Sequence, residues 1–139
     1  MRVKGSCLCR AVSFSFDLKN KDFDACHCSM CRQWGGGPAL AVKSEGNIDF
    51  LGEEHITVYS SSAWAERGFC KFCGSHLFYR LKDKKHNFCN FQLGTIENNE
   101  DFKFVSQIYI DAKPANYSFS NETKRMTEKE ILEDFGVSE

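Results

Sequence analysis

The chain has 139 residues, the length of one ordinary domain, and 42% of them are hydrophobic, enough to build a core. Its 18 basic and 19 acidic side chains leave a net charge of −1 and form no long basic run, which argues against a nucleic-acid partner. No stretch approaches the roughly 18 apolar residues of a membrane span, so no membrane partner is expected either. We therefore expect a single domain over residues 1–139.

The amino terminus predicts where the protein works. Residues 1–5 lead into a cysteine cluster without the apolar segment of a signal peptide, which predicts a cytoplasmic protein. In that reducing compartment, the eight cysteines indicate metal binding or catalysis rather than disulfides.

Several short strands are predicted along the chain. The apolar residues Val12, Phe14, Phe16 and Leu18 alternate with polar ones, which is the pattern of a half-buried strand. Similar runs, separated by turn-forming residues, cover 48–50, 56–59, 77–81, 88–93 and 105–110. Together with the thirteen phenylalanines, they predict a mainly β fold with an aromatic core.

One helix is predicted, at about residues 127–135. Thr127 followed by Glu130 fits a capping box at its start, and Gly136 suits its end. Its apolar face would consist of Ile131, Leu132 and Phe135. We expect this helix to pack against the body or a partner rather than to carry chemistry.

A glycine-rich segment, Gly35–Pro38, follows the second cysteine cluster. It lacks the Lys-Ser/Thr that would make it a phosphate loop. It is either a tight turn or a loop whose backbone approaches a ligand closely, as only glycine allows. Its position beside the cysteines favours the second interpretation.

The first and third cysteine clusters suit one structural metal site. Cys7 and Cys9 are two residues apart, so an extended backbone would direct both sulfurs to one face and Leu8 into the core. Cys70 and Cys73 form a C-x-x-C-G knuckle, in which Gly74 can take the positive φ that closes the turn. Four thiolates make a closed tetrahedral zinc site with no position for substrate.

The middle cluster has a different composition. Cys26, Cys28 and Cys31 supply three thiolates, which leaves one coordination position open, as in a catalytic zinc site. His27 alternates with Cys26 and Cys28, so in an extended segment it points away from them. We expect it to support the site or pack, with metal ligation as the alternative.

Other chemistry remains open for these cysteines. Iron–sulfur clusters also use thiolates, and a lone C-x-x-C can be a redox dithiol. Three clusters together favour zinc. The remaining cysteine, Cys89, lies in an alternating apolar run and is predicted to be a buried hydrophobic residue.

These motifs resemble the glutathione-dependent formaldehyde-activating enzyme family, which also contains centromere protein V. The resemblance extends over about residues 3–120 and includes Gly94-Thr95-Ile96 and a late Asp-x-Lys-Pro segment, residues 111–114. Lys71 stands where many members have proline, which should alter the rigidity of the knuckle and not its chemistry.

The resemblance implies a β-tent of small stacked antiparallel sheets and two zinc ions per chain. A structural zinc would lie on Cys7, Cys9, Cys70 and Cys73, and a second on Cys26, Cys28 and Cys31. The implied activity is that of a carbon–sulfur lyase, which joins glutathione and formaldehyde as S-hydroxymethylglutathione. The partners would be a thiol such as glutathione and a small aldehyde.

The negative charge of the second site must be compensated by nearby groups. Zinc with three thiolates is already negative, and a substrate thiolate adds to that charge, so nearby cations or amide groups are expected. Arg32, directly after Cys31, is the first candidate, with a surface salt bridge as the alternative. Arg10, Arg67 and Lys113 are further candidates for binding glutathione carboxylates.

A non-catalytic function is the alternative to the lyase. The second cluster could instead be structural or empty, and the protein a non-catalytic zinc-stabilised binding module. Trp34 and Trp64 are expected in the core, with a place in the wall of a pocket as the alternative.

Overall fold

A computed structural model describes residues 1–136, and the chain forms two compact units within it. The first unit contains residues 1–21 and 42–101, and the second contains 22–41 and the residues from 102 onward. The fold is mainly β with stacked sheets and a short C-terminal helix, which confirms the predicted class. That the chain is one domain stays a prediction.

The first unit contains two antiparallel sheets. One has the strand order β1–β2–β5, and the other is the meander β6–β7–β8–β9. Their bounds are β1 Arg2–Ser6, β2 Ser13–Asp17, β5 Glu45–Leu51, β6 Ile56–Ser60, β7 Ala65–Cys70, β8 His76–Leu81 and β9 Cys89–Gln92.

Phenylalanines fill the space between these two sheets. Phe14 and Phe16 both point inward from β2, because alternate residues of a strand share a face. Their ring centroids lie 4.2 Å and 4.7 Å from that of Phe91 on β9. The ring of Phe50 on β5 lies 6.0 Å from that of Phe78 on β8. The predicted aromatic core is therefore confirmed.

The second unit is built around β3, Asp22–Cys26. It pairs antiparallel with β4, Ala39–Lys43, and parallel with β10, Lys103–Ile108. A further parallel strand, β11, Lys124–Met126, pairs with β10. These parallel pairs were not anticipated from the sequence.

Two helices belong to this unit. The first, α1, covers Ser29–Gly35, and sequence analysis missed it. The second, α2, covers Glu128–Asp134, and its capping box between Thr127 and Glu130 is confirmed. Ile131 is buried, whereas Phe135 at the end of the helix remains 37% exposed.

The position of Trp64 differs from the one expected from the sequence. Trp64 is 56% exposed, so its assignment to the core was wrong; it lies in the turn before β7 rather than inside a strand. Across residues 1–136, no helix is both long enough and apolar enough to cross a membrane.

Candidate metal centres

The first centre is the set Cys7, Cys9, Cys70 and Cys73, whose sulfurs all lie within 4.8 Å of one another. The Sγ–Sγ distances are 3.6 Å from Cys7 to Cys9 and 3.7 Å from Cys9 to Cys70. Four thiolates placed tetrahedrally about 2.3 Å from a zinc ion would be about 3.8 Å apart. The spacing of these sulfurs therefore fits a tetrahedral metal ion such as zinc.

Two strand ends and a turn build this centre. β1 ends one residue before Cys7, and β7 ends at Cys70. Gly74 closes the knuckle with a φ of 77°, as predicted, and its amide donates to the Cys70 carbonyl. Leu8 was expected in the core, and this was wrong. The segment after β1 is a turn rather than an extended strand, so Leu8 is 86% exposed.

Ser75 joins the two halves of the first centre, a role that sequence reasoning missed. Its hydroxyl oxygen accepts a hydrogen bond from the amide of Leu8 at 3.0 Å and lies 3.2 Å from the Cys73 sulfur. Hydrogen bonds from the side chain and main chain of Ser75, together with those from Cys9, lower the pKa of the Cys73 thiol to about 5. Cys73 is thus prepared to bind a cation as a thiolate.

The second centre combines a strand end with a helix start. Cys26 is the last residue of β3, Cys28 is the N-cap of α1, and Cys31 is in its first turn. The Cys28 sulfur accepts a hydrogen bond from the Cys31 amide at 3.3 Å. All three sulfurs lie within 4.8 Å of one another, so the cluster predicted from sequence does come together.

This thiol cluster has the electrostatics of a cation site. Hydrogen bonds from Cys26 to the sulfurs of Cys28 and Cys31, together with burial, raise the pKa of Cys26. Three thiolates therefore do not coexist here without a positive charge. A divalent ion that prefers soft ligands satisfies that requirement, and zinc fits the donor set.

His27, between two of these cysteines, belongs to a buried hydrogen-bond chain instead of the thiol cluster. Its ring is completely buried, with Nε2 at 2.8 Å from Gln107 Oε1 and Nδ1 at 2.7 Å from the Tyr117 hydroxyl. Burial lowers the pKa of His27, and the charges of Lys113 and Arg32 lower it further. The imidazole is thus held neutral, with both nitrogens occupied by protein groups.

Arg32 and Lys113 stabilise the loop that contains Tyr117 by hydrogen bonds to main-chain carbonyl groups. Arg32 Nε donates to the His27 carbonyl at 2.9 Å, and its Nη2 donates to the Ala112 carbonyl at 3.3 Å. Lys113 Nζ donates to the carbonyls of Pro114 and Tyr117 and lies 4.8 Å from the centre of the Tyr117 ring. Both cations therefore bind main-chain oxygens close to the cysteine segment.

A cavity of about 590 Å³ has in its wall the residues that directly follow Cys28 and Cys31 in the chain. Arg32, Gly37 and Tyr117 belong to its wall, and so does Ser29, the residue after Cys28. A methyl group added at Gly37 would meet no protein atom within 4 Å, so internal packing does not require glycine there. Gly36, in contrast, has a φ of 86° and ends α1.

The other candidate residues lie in the first unit. Arg67 is buried, with its guanidinium 5.0 Å from the centre of the Tyr79 ring. Arg10 is part of the wall of a smaller cavity near Cys7. Cys89 is buried as predicted, and burial raises the pKa of its thiol to about 12. Arg10 and Arg67 thus belong to the first unit, whereas Cys26, Cys28 and Cys31 belong to the second.

The fold and the two clusters define a mainly β protein with two candidate metal centres. Its sequence matches the family model described as glutathione-dependent formaldehyde-activating enzyme over residues 2–112, most of the chain. The chain belongs to this family, which confirms the resemblance seen in its cysteine motifs.

Individual relatives agree with this assignment. An uncharacterized lyase of Schizosaccharomyces pombe is 33% identical over 130 residues, which cover 93% of each chain. A candidate glutathione-dependent formaldehyde-activating enzyme of Halomonas elongata is 36% identical over 87 residues, 56% of this chain and 55% of that protein. A crystal structure of a Rhodobacter sphaeroides protein superposes with a TM-score of 0.58 at 27% identity, covering 68% of this chain and 88% of the other.

Proposed function

We propose that this protein is a zinc-dependent carbon–sulfur lyase that combines a thiol such as glutathione with a small aldehyde. The observation that carries the proposal is the cluster of Cys26, Cys28 and Cys31 beside a cavity, in a chain of this family. A relative named as a lyase covers nearly the whole chain, which supports the class of reaction.

The two centres have different roles in this proposal. Four cysteines close the first site around zinc and stabilise the fold, because no position is left for substrate. Cys26, Cys28 and Cys31 hold a second zinc with one position free. Zinc bound there supplies the positive charge that keeps an incoming thiol ionised at neutral pH.

The residues around the second site bind and orient the substrates. The cavity accommodates the rest of the thiol molecule, and Arg32 on its wall offsets the excess negative charge. The substrate sulfur then bonds to the aldehyde carbon. The carbonyl electron pair moves to oxygen, which takes a proton from water. Holding both reactants together supplies much of the acceleration.

An exchange measurement tests this function, since thiols and aldehydes also combine without a catalyst. Glutathione and ¹³C-labelled formaldehyde are brought to equilibrium, and NMR exchange rates are measured with and without the zinc-loaded protein. We expect the protein to accelerate exchange between free aldehyde and adduct. Equal rates, together with zinc that added thiols do not affect, would instead indicate a non-catalytic binding module.

Substituting Gly37 with alanine is expected to weaken thiol binding while the fold persists. The added methyl group meets no protein atom but occupies space at the cavity wall. We expect about a tenfold loss of glutathione affinity, the effect of roughly 1.4 kcal/mol, measured by calorimetry on the zinc-loaded protein.

The matched control is Gly35→Ala, a similarly open position in α1 that is not part of the cavity wall. Alanine is favoured over glycine in a helix, so this variant should unfold at the same or a higher temperature and bind glutathione normally. If both variants bound glutathione with the same affinity, the thiol would not bind in this cavity.

A further inference from the structure

The four cysteines of the first centre differ in their exposure to solvent. Cys9 is exposed, whereas Cys7 and Cys70 are buried and Cys73 is half-buried. Cys9 is also the only exposed cysteine of the eight in the chain, all of which lie within the described residues. A reagent dissolved in water therefore meets the first centre at Cys9.

Cys9 lies in a turn whose shape is fixed by hydrogen bonds. The amide of Arg10 donates to the Cys7 carbonyl at 3.1 Å and closes the turn. The amide of Leu8 donates to the Ser75 hydroxyl at 3.0 Å, which joins the turn to the residue after the knuckle. Both neighbours of Cys9 in the chain are exposed. The fold therefore places Cys9 at the surface, although two of the other three cysteines of the centre are buried.

The sulfurs of Cys7 and Cys70 lie close to that of Cys9, at Sγ–Sγ distances of 3.6 Å and 3.7 Å. Cys7 belongs to the same turn as Cys9, and its sulfur accepts a hydrogen bond from the Val12 amide at 3.4 Å. Cys70, in contrast, is the last residue of β7. A disulfide from Cys9 to Cys70 leaves the hydrogen bonds of the turn in place, which favours Cys70 as the partner.

We propose that Cys9 is a site of oxidation by peroxides, and that a Cys9–Cys70 disulfide then replaces the four-thiolate set of the first centre. Oxidants modify cysteines that are exposed and have a second thiol beside them, and Cys9 meets both conditions. The inference rests on the structural zinc of the proposed function. It adds a modification to a centre that the proposed function treats as purely structural.

Hydrogen peroxide supplies the oxidising equivalents for this reaction. The Cys9 thiolate attacks one peroxide oxygen, so a sulfur–oxygen bond forms, the oxygen–oxygen bond breaks and hydroxide leaves. The Cys70 thiolate then attacks the Cys9 sulfur, the disulfide forms, and the oxygen leaves as a second hydroxide. The two cysteines together lose two electrons, which the peroxide gains. Only Cys7 and Cys73 remain as thiolates, too few to hold a zinc ion in a closed site.

Peptide mapping of the zinc-loaded wild-type protein tests this site. The protein is treated with less than one equivalent of hydrogen peroxide, denatured, alkylated at its remaining thiols and digested with trypsin. Cleavage after Lys71 separates Cys70 from Cys73. We expect the first disulfide of this centre to join Cys70 to Cys9, which fragmentation of the linked peptides distinguishes from Cys7. Zinc should be lost in the same proportion as the disulfide forms.

Replacing Cys9 with histidine keeps a zinc ligand and removes the exposed thiol. Three cysteines and one histidine also form closed structural zinc sites. After a peroxide treatment that unfolds the wild type, Cys9→His should remain folded by circular dichroism. The matched control is Cys89→Ala, which removes a buried thiol outside both clusters and should unfold under peroxide as the wild type does.

The outcomes separate this inference from the proposed function. A first disulfide that does not contain Cys9 would overturn the inference, and so would a Cys9→His variant that peroxide unfolds as fast as the wild type. If that variant does not fold, the peptide map of the wild type decides alone. The exchange of glutathione and formaldehyde reports on the second centre, so its absence in a protein that forms the Cys9–Cys70 disulfide would refute the proposed function only.

Discussion

Replacing both knuckle cysteines, Cys70 and Cys73, with alanine should leave the protein unable to fold. This double variant removes half of the four-sulfur site that joins the ends of β1 and β7. A structural zinc contributes about 10–16 kcal/mol to folding in small peptides. Whole domains are stable by only about 5–15 kcal/mol, so the loss is as large as the entire stability of an ordinary domain. Circular dichroism should show an unfolded chain at 25 °C.

Cys89→Ala provides the matched control for this experiment. Cys89 is buried like Cys70 but lies outside both clusters among the described residues. Removing its sulfur should cost about 1 kcal/mol and leave the metal content unchanged. If the double variant were as stable as Cys89→Ala, the first site would not be structural.

Changing Cys26, Cys28 and Cys31 together to serine should abolish activity and preserve the fold. The variant should hold one zinc per chain instead of two, and the exchange rate of aldehyde and adduct should fall to the uncatalysed value. Serine is a favoured helix N-cap, so position 28 can still begin α1. We expect the unfolding free energy to change by about 1 kcal/mol.

Metal analysis and thermal unfolding of the zinc-loaded triple variant check this expectation. An unfolded triple variant would make the second centre structural as well. If the variant still exchanged aldehyde and adduct faster than the uncatalysed rate, the reaction would not take place at these cysteines.

The strands of the first unit were predictable because their signals are local. Alternation of phenylalanine and serine in β2 needs only neighbouring residues, and the structure buries Phe14 and Phe16 as expected. The cysteine spacings likewise indicated which sulfurs come together. Leu8 was misplaced because the alternation rule was applied to a turn, where it does not hold.

Features that depend on distant residues could not be predicted. Helix α1 has only seven residues and is capped by a cysteine, which is not among the usual N-cap residues. His27, Gln107 and Tyr117 are far apart in sequence, and nothing local indicates that their side chains meet. The parallel pairing of β3 with β10 brings His27, the residue after β3, close to Gln107. The surroundings of the second centre therefore required the structure, although its ligands did not.

Titration of the cobalt(II)-loaded protein with glutathione tests the central claim, that four cysteines close one site and three leave the other open. Cobalt(II) accepts the same thiolate ligands as zinc, and each added sulfur strengthens the sulfur-to-cobalt absorption. We predict an increase that saturates at one glutathione per chain and is absent from the triple serine variant. A spectrum that glutathione leaves unchanged, in a protein carrying two cobalt ions, would contradict the open thiol site.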